Sequence, residues 1–186
     1  MICRSCGMKE LIPFIDLGYS PPSNAYLEKD HLDKPEITYP LRVVHCSECW
    51  LVQTEDYAVA EEIFNENYAY FSSTSSSWLD HASAYVDMII DKINLSKESF
   101  VVEIASNDGY LLKNFVEKGI DCLGVEPTSS TAKVAKDSGI EVKEVFFGAD
   151  TARVIANSRK ADLIIGNNVF AHVPDVLSFA EGMEEL

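Results

Sequence analysis

Two C-x-x-C pairs, Cys3/Cys6 and Cys46/Cys49, constrain this chain more than any other feature. Each pair can turn both of its sulfurs toward one ion in a knuckle, and the residues from Gly7 to His45 must then fold back so that the pairs meet. Four thiolates around Zn²⁺ make a closed tetrahedral shell with no open position, so the expected role is to hold a small domain together rather than to activate water. An iron–sulfur cluster would use the same four residues, whereas a redox dithiol is disfavoured because no βαβ pattern surrounds either pair. The fifth cysteine, Cys122, stands alone at the start of a predicted buried strand and reads as a small apolar residue.

Around these cysteines, residues 1–65 read as a zinc-binding domain of short elements, because Pro13, Pro21, Pro22, Pro35 and Pro40 break any long helix. The strand-like runs Tyr39–Val44 and Trp50–Thr54 flank Cys46 and Cys49, so the second pair is expected in the turn of a hairpin. A polar stretch over 66–77, holding Asn67, Tyr68, Tyr70 and the serine tract from Ser72, is expected to link two cores. One of its serines should cap a helix whose apolar positions Trp78, Ala82, Tyr85, Val86, Ile89 and Ile93 recur at three- and four-residue spacing.

From Phe100 onward, β-branched runs alternate with helical segments: Phe100–Ile104, Tyr110–Lys118, Cys122–Val125, Ser130–Ser138, Glu141–Val145, Thr151–Ser158, Asp162–Gly166 and Val176–Glu185. This β-α alternation demands crossover connections and hence a parallel sheet. The fold class is therefore α/β: a small four-cysteine domain, then a partial Rossmann-like parallel sheet over 78–186.

The 30 acidic residues against 15 basic ones give a formal charge of −15, which repels polyanions and argues against a nucleic-acid polymer as partner. Charged residues at Arg4, Lys9 and Glu10 leave no secretory leader pattern, and runs such as Leu163–Ile165 are too short to span a bilayer. These features are those expected of a cytoplasmic chain without membrane contact, in which disulfides are not expected.

Ligands of open α/β sheets bind beyond the carboxyl ends of the strands. The first such place here is Glu103-Ile104-Ala105-Ser106-Asn107-Asp108-Gly109, a strand end followed by a turn of small and polar residues. It lacks G-x-G-x-x-G, so nothing points to a dinucleotide pyrophosphate, and an NAD-dependent reading is disfavoured. Glu126 ends the next strand, where a carboxylate can accept hydrogen bonds from both hydroxyls of a ribose. Asn167 and Asn168 follow a third strand and could bond a ligand's amino acid portion, with His172 nearby; Glu126 also reads as a solvated loop carboxylate, and Glu103, Asp108 and His172 have ordinary turn, cap or loop readings.

The paired cysteine knuckles, the Tyr-x-Tyr-x-Ser-Ser segment at Tyr68–Ser73, then Glu-Ile-Ala-Ser-Asn-Asp-Gly and Gly-Val-Glu-Pro resemble the zinc-containing nucleotide-sugar C-methyltransferases. The resemblance implies a class I domain that uses S-adenosylmethionine to methylate a carbon of a nucleotide-linked deoxy-keto-sugar. The chemistry this implies is proton removal beside a ketone, giving an enolate whose carbon attacks the methyl group in line with the departing sulfur. Glu103, Ala105, Ser106, Asn107, Asp108, Gly109, Glu126, Asn167 and Asn168 would then bind the cofactor. Tyr68, Tyr70 and His172 are the candidates for catalysis. Family members continue well beyond this length with further strands and a second α/β domain, so the expectation is a truncated or split enzyme, inactive alone, for which a second chain completes the catalytic domain. A non-catalytic zinc-dependent binding module is the alternative.

Overall fold

The computed structural model describes residues 1–57, 59–66 and 68–186, with Glu61 by its main chain alone. It divides into two compact units, Met1–Ala69 with Pro174–Leu177, and Tyr70–Val173 with Ser178–Leu186.

In the first unit, β1 (Leu11–Ser20), β2 (Tyr39–Cys46) and β3 (Val52–Thr54) form an antiparallel sheet in that order, followed by the short helix α1 (Ala60–Ile63). The β2–β3 hairpin carries Cys46 and Cys49 at its turn, and His45 pairs with Val52 across it. Because β1 enters with Leu11 opposite Cys46, the segment before it, which holds Cys3 and Cys6, is led straight to the second knuckle. Gln53 reinforces that meeting: its Oε1 accepts from Arg4 N–H at 3.0 Å and its Nε2 donates to Ile2 O at 3.3 Å. The expectation that prolines permit only short strands fails at β1, which runs ten residues through Pro13. The strand lies at the sheet edge and its register shifts between Pro13 and Ile15, the two circumstances in which a missing N–H is tolerated. Its exposed pattern also carries no alternation to read.

The second unit opens with α2 (Ser76–Ile93), capped by Ser75, whose side chain accepts from Trp78 N–H at 3.4 Å. The helix ends where Asn94 turns left-handed and its N–H bonds Ile90 O. There follow β4 (Phe100–Ile104), α3 (Leu112–Glu117), β5 (Asp121–Val125), α4 (Ser129–Asp137), β6 (Glu141–Lys143), α5 (Ala149–Ala156), β7 (Leu163–Ile165) and α6 (Val176–Glu185). Among the described residues the strands make a parallel sheet in the order β6-β5-β4-β7. Successive residues of a strand face opposite sides. Val101 thus joins Ala82, Val86, Leu112, Phe115, Ala132 and Ala135 in one core, while Val102 joins Leu123, Val125, Ala152 and Ile155 in the other. Helices α2, α3 and α4 cover one face and α5 the other, the doubly wound arrangement expected from the β-α alternation. No described helix is long and apolar enough to cross a membrane.

The polar stretch read as a linker over 66–77 is divided by the fold: from Tyr70 onward it is part of the second unit, with Ser72 buried. Asn67, within that stretch, lies outside the described residues.

Candidate functional site

The sulfurs of Cys3, Cys6, Cys46 and Cys49 all lie within 4.8 Å of one another, with Cys3–Cys49 at 3.4 Å and Cys6–Cys46 at 3.5 Å. Tetrahedral ligation at a Zn–S distance of about 2.3 Å sets sulfurs about 3.8 Å apart, so the quartet fits a zinc ion as it stands. Each knuckle is left through a left-handed residue, Gly7 (φ 75°) after Cys6 and Trp50 (φ 63°) after Cys49. Glu48 N–H points at Cys46 Sγ (3.4 Å), a main-chain donor of the kind that steadies a metal-bound thiolate. Burial opposes ionisation of the Cys3 thiol, but the Cys6 and Ser5 main-chain donors prevail and bring it down to about 6. At Cys6 the Met8 main-chain donor is outweighed by burial and by the other three sulfurs, which push it up to about 12. Four thiolates this close are stable together only around a cation. Cys122 stands apart, its thiol raised to about 12 by burial and then by the charge of Glu103, which disfavours the thiolate.

The second site lies at the carboxyl ends of β4, β5 and β7. After Ile104 the chain makes a tight turn with Ala105, Asn107 and Gly109 all at positive φ (55°, 51° and 78°). Ala105 N–H bonds Val125 O at 2.8 Å, which fastens the turn to the end of β5. Gly124 is what lets it sit there, because a Cβ at that position would lie 2.4 Å from Ser106 Oγ. Glu126, 4% exposed, locks the arrangement: one carboxylate oxygen accepts from Asn107 N–H and the other from Thr128 N–H, both at 2.9 Å. The carboxylate placed by the sequence at the strand end is thus a strut of the turn. Each of its oxygens keeps a lone pair for a further donor.

Around this strut, Glu103 Oε2, Ser106 Oγ, Asp108 Oδ1 and Thr128 Oγ1 are buried without a protein partner among the described residues. Buried polar atoms are normally satisfied, so such a cluster of acceptors and hydroxyls at a strand end suits a ligand rich in hydroxyl and ammonium donors. Asn107, in contrast, has its side chain turned to the protein, taking Ser72 N–H at 2.8 Å, while Asp108 does both: its Oδ2 takes Ser73 N–H at 3.0 Å and its Oδ1 stays unpartnered. Asn167 is exposed after β7 and donates from Nδ2 to Tyr110 Oη at 3.3 Å; Asn168 is left-handed and His172 is exposed in a 3-10 turn over Phe170–His172. Tyr70 belongs to this unit, while Tyr68 belongs to the first, where its ring lies 5.3 Å from that of Phe64. Tyr110, which the sequence offers only as the start of a helix, joins the site: its ring is 5.9 Å from Trp78, and burial and then Glu103 raise its hydroxyl to about 12. Its place directly after Gly109 was the available signal.

Glu103 lies 1% exposed on the face under α2. Burial first, then the charges of Glu126 and Asp108, raise its carboxyl well above the usual range. Above about pH 4.3 the unfolded chain releases this proton while the folded chain retains it, so the residue costs stability increasingly as pH rises toward the folded value. Glu103→Gln, which does not titrate, is therefore expected to gain on the native chain between pH 4 and pH 8. Melting temperatures of both across that range are the check, and a pH-independent difference would contradict it.

Residues 3–64 match a family described as "Putative zinc binding domain". Over 185 residues, 99% of the chain, the sequence is 31% identical to C-methyltransferase NovU of Streptomyces niveus, and it spans 44% of that relative's length. Among solved structures, a SAM-dependent methyltransferase from Anabaena variabilis aligns with 57% of the chain at 17% identity and a TM-score of 0.44, over 46% of its own length. An S-adenosylmethionine-dependent methyltransferase from Clostridium acetobutylicum aligns with 56% at 16% identity and a TM-score of 0.45, over 44% of its own length. The chain is therefore similar, across nearly all of its residues, to somewhat less than half of a C-methyltransferase, with the zinc-binding family match confined to the segment that carries all four clustered cysteines.

Proposed function

We propose that this chain is the zinc-binding and S-adenosylmethionine-binding part of a C-methyltransferase whose acceptor is a nucleotide-linked keto-sugar. The observation that carries the reading is the similarity to C-methyltransferase NovU along 185 residues. The acceptor class rests on the sequence resemblance described first.

When bound, S-adenosylmethionine supplies an electrophilic methyl group. In this reading Glu126 accepts from the ribose hydroxyls through the lone pairs that Asn107 and Thr128 leave free. The main chain of Ala105–Gly109, held open by its left-handed residues, faces the cofactor. The unpartnered Oδ1 of Asp108 accepts from its ammonium group, Glu103 Oε2 does so once the bound cation has displaced the carboxyl's proton, and Asn167 and Asn168 bond its amino acid end from across the crevice. Tyr70 and His172 are the candidates for holding or removing the acceptor's proton, with Tyr68 the third. The closed shell of four thiolates supports a structural role for zinc.

Calorimetric titration of the zinc-loaded chain with S-adenosylhomocysteine tests the reading without the acceptor. Saturable binding is expected, weakened at least tenfold by Glu126→Ala, which deletes both the ribose acceptor and the strut. No saturable heat from the folded native chain would refute the cofactor assignment.

A further inference from the structure

Asn107 and Asp108 are the two residues of the turn whose side chains take main-chain N–H groups of a distant segment, Asp108 through Oδ2 alone. Asn107 Oδ1 accepts from Ser72 N–H at 2.8 Å, Asn107 Nδ2 donates to Tyr70 O at 3.1 Å, and Asp108 Oδ2 accepts from Ser73 N–H at 3.0 Å. These three bonds all fall on Tyr70–Thr74, whose last three residues form a single 3-10 turn. The first N–H groups of such a turn have no acceptor of their own within it, and Phe71, which precedes it, makes no side-chain cap. Asn107 and Asp108 supply the cap from 35 residues away. Both are less than a tenth exposed, and so is Ser72, so the bonds are shielded from competing water.

The same Asn107 gives its own N–H to Glu126 Oε2 at 2.9 Å. Its main chain is therefore tied to the strut of the crevice, and its side chain to the segment that carries Tyr70. We propose that Asn107 and Asp108 are positioning residues: they dock Tyr70–Thr74 as a strap on the turn after β4 and so fix Tyr70 beside the crevice, coupling the order of the strap to occupancy of the site. The coupling rests on the cofactor reading for the identity of the ligand; the docking does not.

Two measurements on the full zinc-loaded chain test it. In amide exchange without ligand, Ser72 and Ser73 are expected to be protected. Asn107→Leu should bring Ser72 close to the unstructured rate while leaving the β4 amides of Val102 and Ile104 unchanged. Asn107→Asp, which keeps the acceptor for Ser72 and loses the donor to Tyr70 O, should restore much of that protection. The second measurement uses Ser72→Pro, which deletes one donor from the strap side and touches no residue assigned to the ligand. Phe71 (φ −114°, ψ 122°) already has the extended backbone a following proline requires, and a proline is tolerated at the start of a helical turn. Ser72→Pro is expected to weaken S-adenosylhomocysteine about tenfold, and saturating S-adenosylhomocysteine to slow exchange at Ser73 of the native chain by a similar factor, since linkage is reciprocal. Unprotected Ser72 and Ser73 in the native chain, or unchanged affinity in Ser72→Pro, would overturn the proposal. A protected strap in a native chain that binds no S-adenosylhomocysteine would instead defeat the cofactor reading and leave the docking standing.

Discussion

Replacing Cys46 by Ser, or stripping zinc with a strong chelator, is expected to unfold the β1–β2–β3 module outright. Among the described residues of that unit, the buried apolar positions are Cys3, Val44 and Cys46, two of which are ligands of the cluster. Phe14, Leu17, Tyr19 and Trp50 are all more than half exposed, so the module has almost no apolar core to fall back on. Structural zinc in small domains contributes roughly 10–16 kcal/mol of apparent binding free energy, far more than one buried valine of about 1.5–3 kcal/mol. The readout is amide exchange in the β2 ladder, at Val43 and His45, with bound zinc counted in parallel. Cys122→Ser serves as the control and should keep one zinc per chain. Persistence of the β2 ladder in Cys46→Ser would mean that the sheet, not the metal, holds the module.

The second large effect is expected at Gly109. A methyl there would lie 2.3 Å from Ile140 Cδ1 and 3.2 Å from Ala135 Cβ, and the residue sits at φ +78°. Left-handed backbone costs an L-residue about 1–2 kcal/mol, and overpacking of this kind adds about 1–3 kcal/mol, so Gly109→Ala should lose about 2–5 kcal/mol. That is a large share of the roughly 5–15 kcal/mol that holds a domain together. Gly139 separates the two contributions: its φ is +83°, yet nothing lies within 4 Å of the place a methyl would take, so Gly139→Ala should show the backbone cost alone. Urea midpoints of both variants decide it, and equal losses would mean that the contact with Ile140 and Ala135 relaxes freely.

What could be read beforehand was carried by spacing. Two C-x-x-C pairs announce a four-sulfur cluster whatever lies between them, and the alternation from Phe100 announces a parallel sheet because parallel neighbours require crossovers. Ser75 was legible as one of several serines able to cap α2. The hidden parts have physical reasons for being hidden. β1 is exposed along nearly all its length, so it has no alternation of polar and apolar residues, and Pro13 argues against it. The strap is held by the N–H groups of Ser72 and Ser73, which every residue but proline possesses, so its docking leaves no mark in its own sequence. Asn107 and Asp108 were visible as important, but side-chain type alone does not say whether a carboxamide or carboxylate faces a ligand or the chain's own backbone.

Glu126 bears on how this crevice could be altered, by drift or by design. A carboxylate that only met a ligand could be exchanged for another side chain to change what is bound. Glu126 takes the main-chain donors of Asn107 and Thr128, one on each oxygen, whatever ligand it meets. Any replacement must satisfy two fixed N–H groups before it can select a ligand, and an amide would turn an NH₂ toward one of them. New specificity at this strand end is therefore reachable only by changing the turn after β4 together with Glu126, so that the two segments are constrained to vary as one.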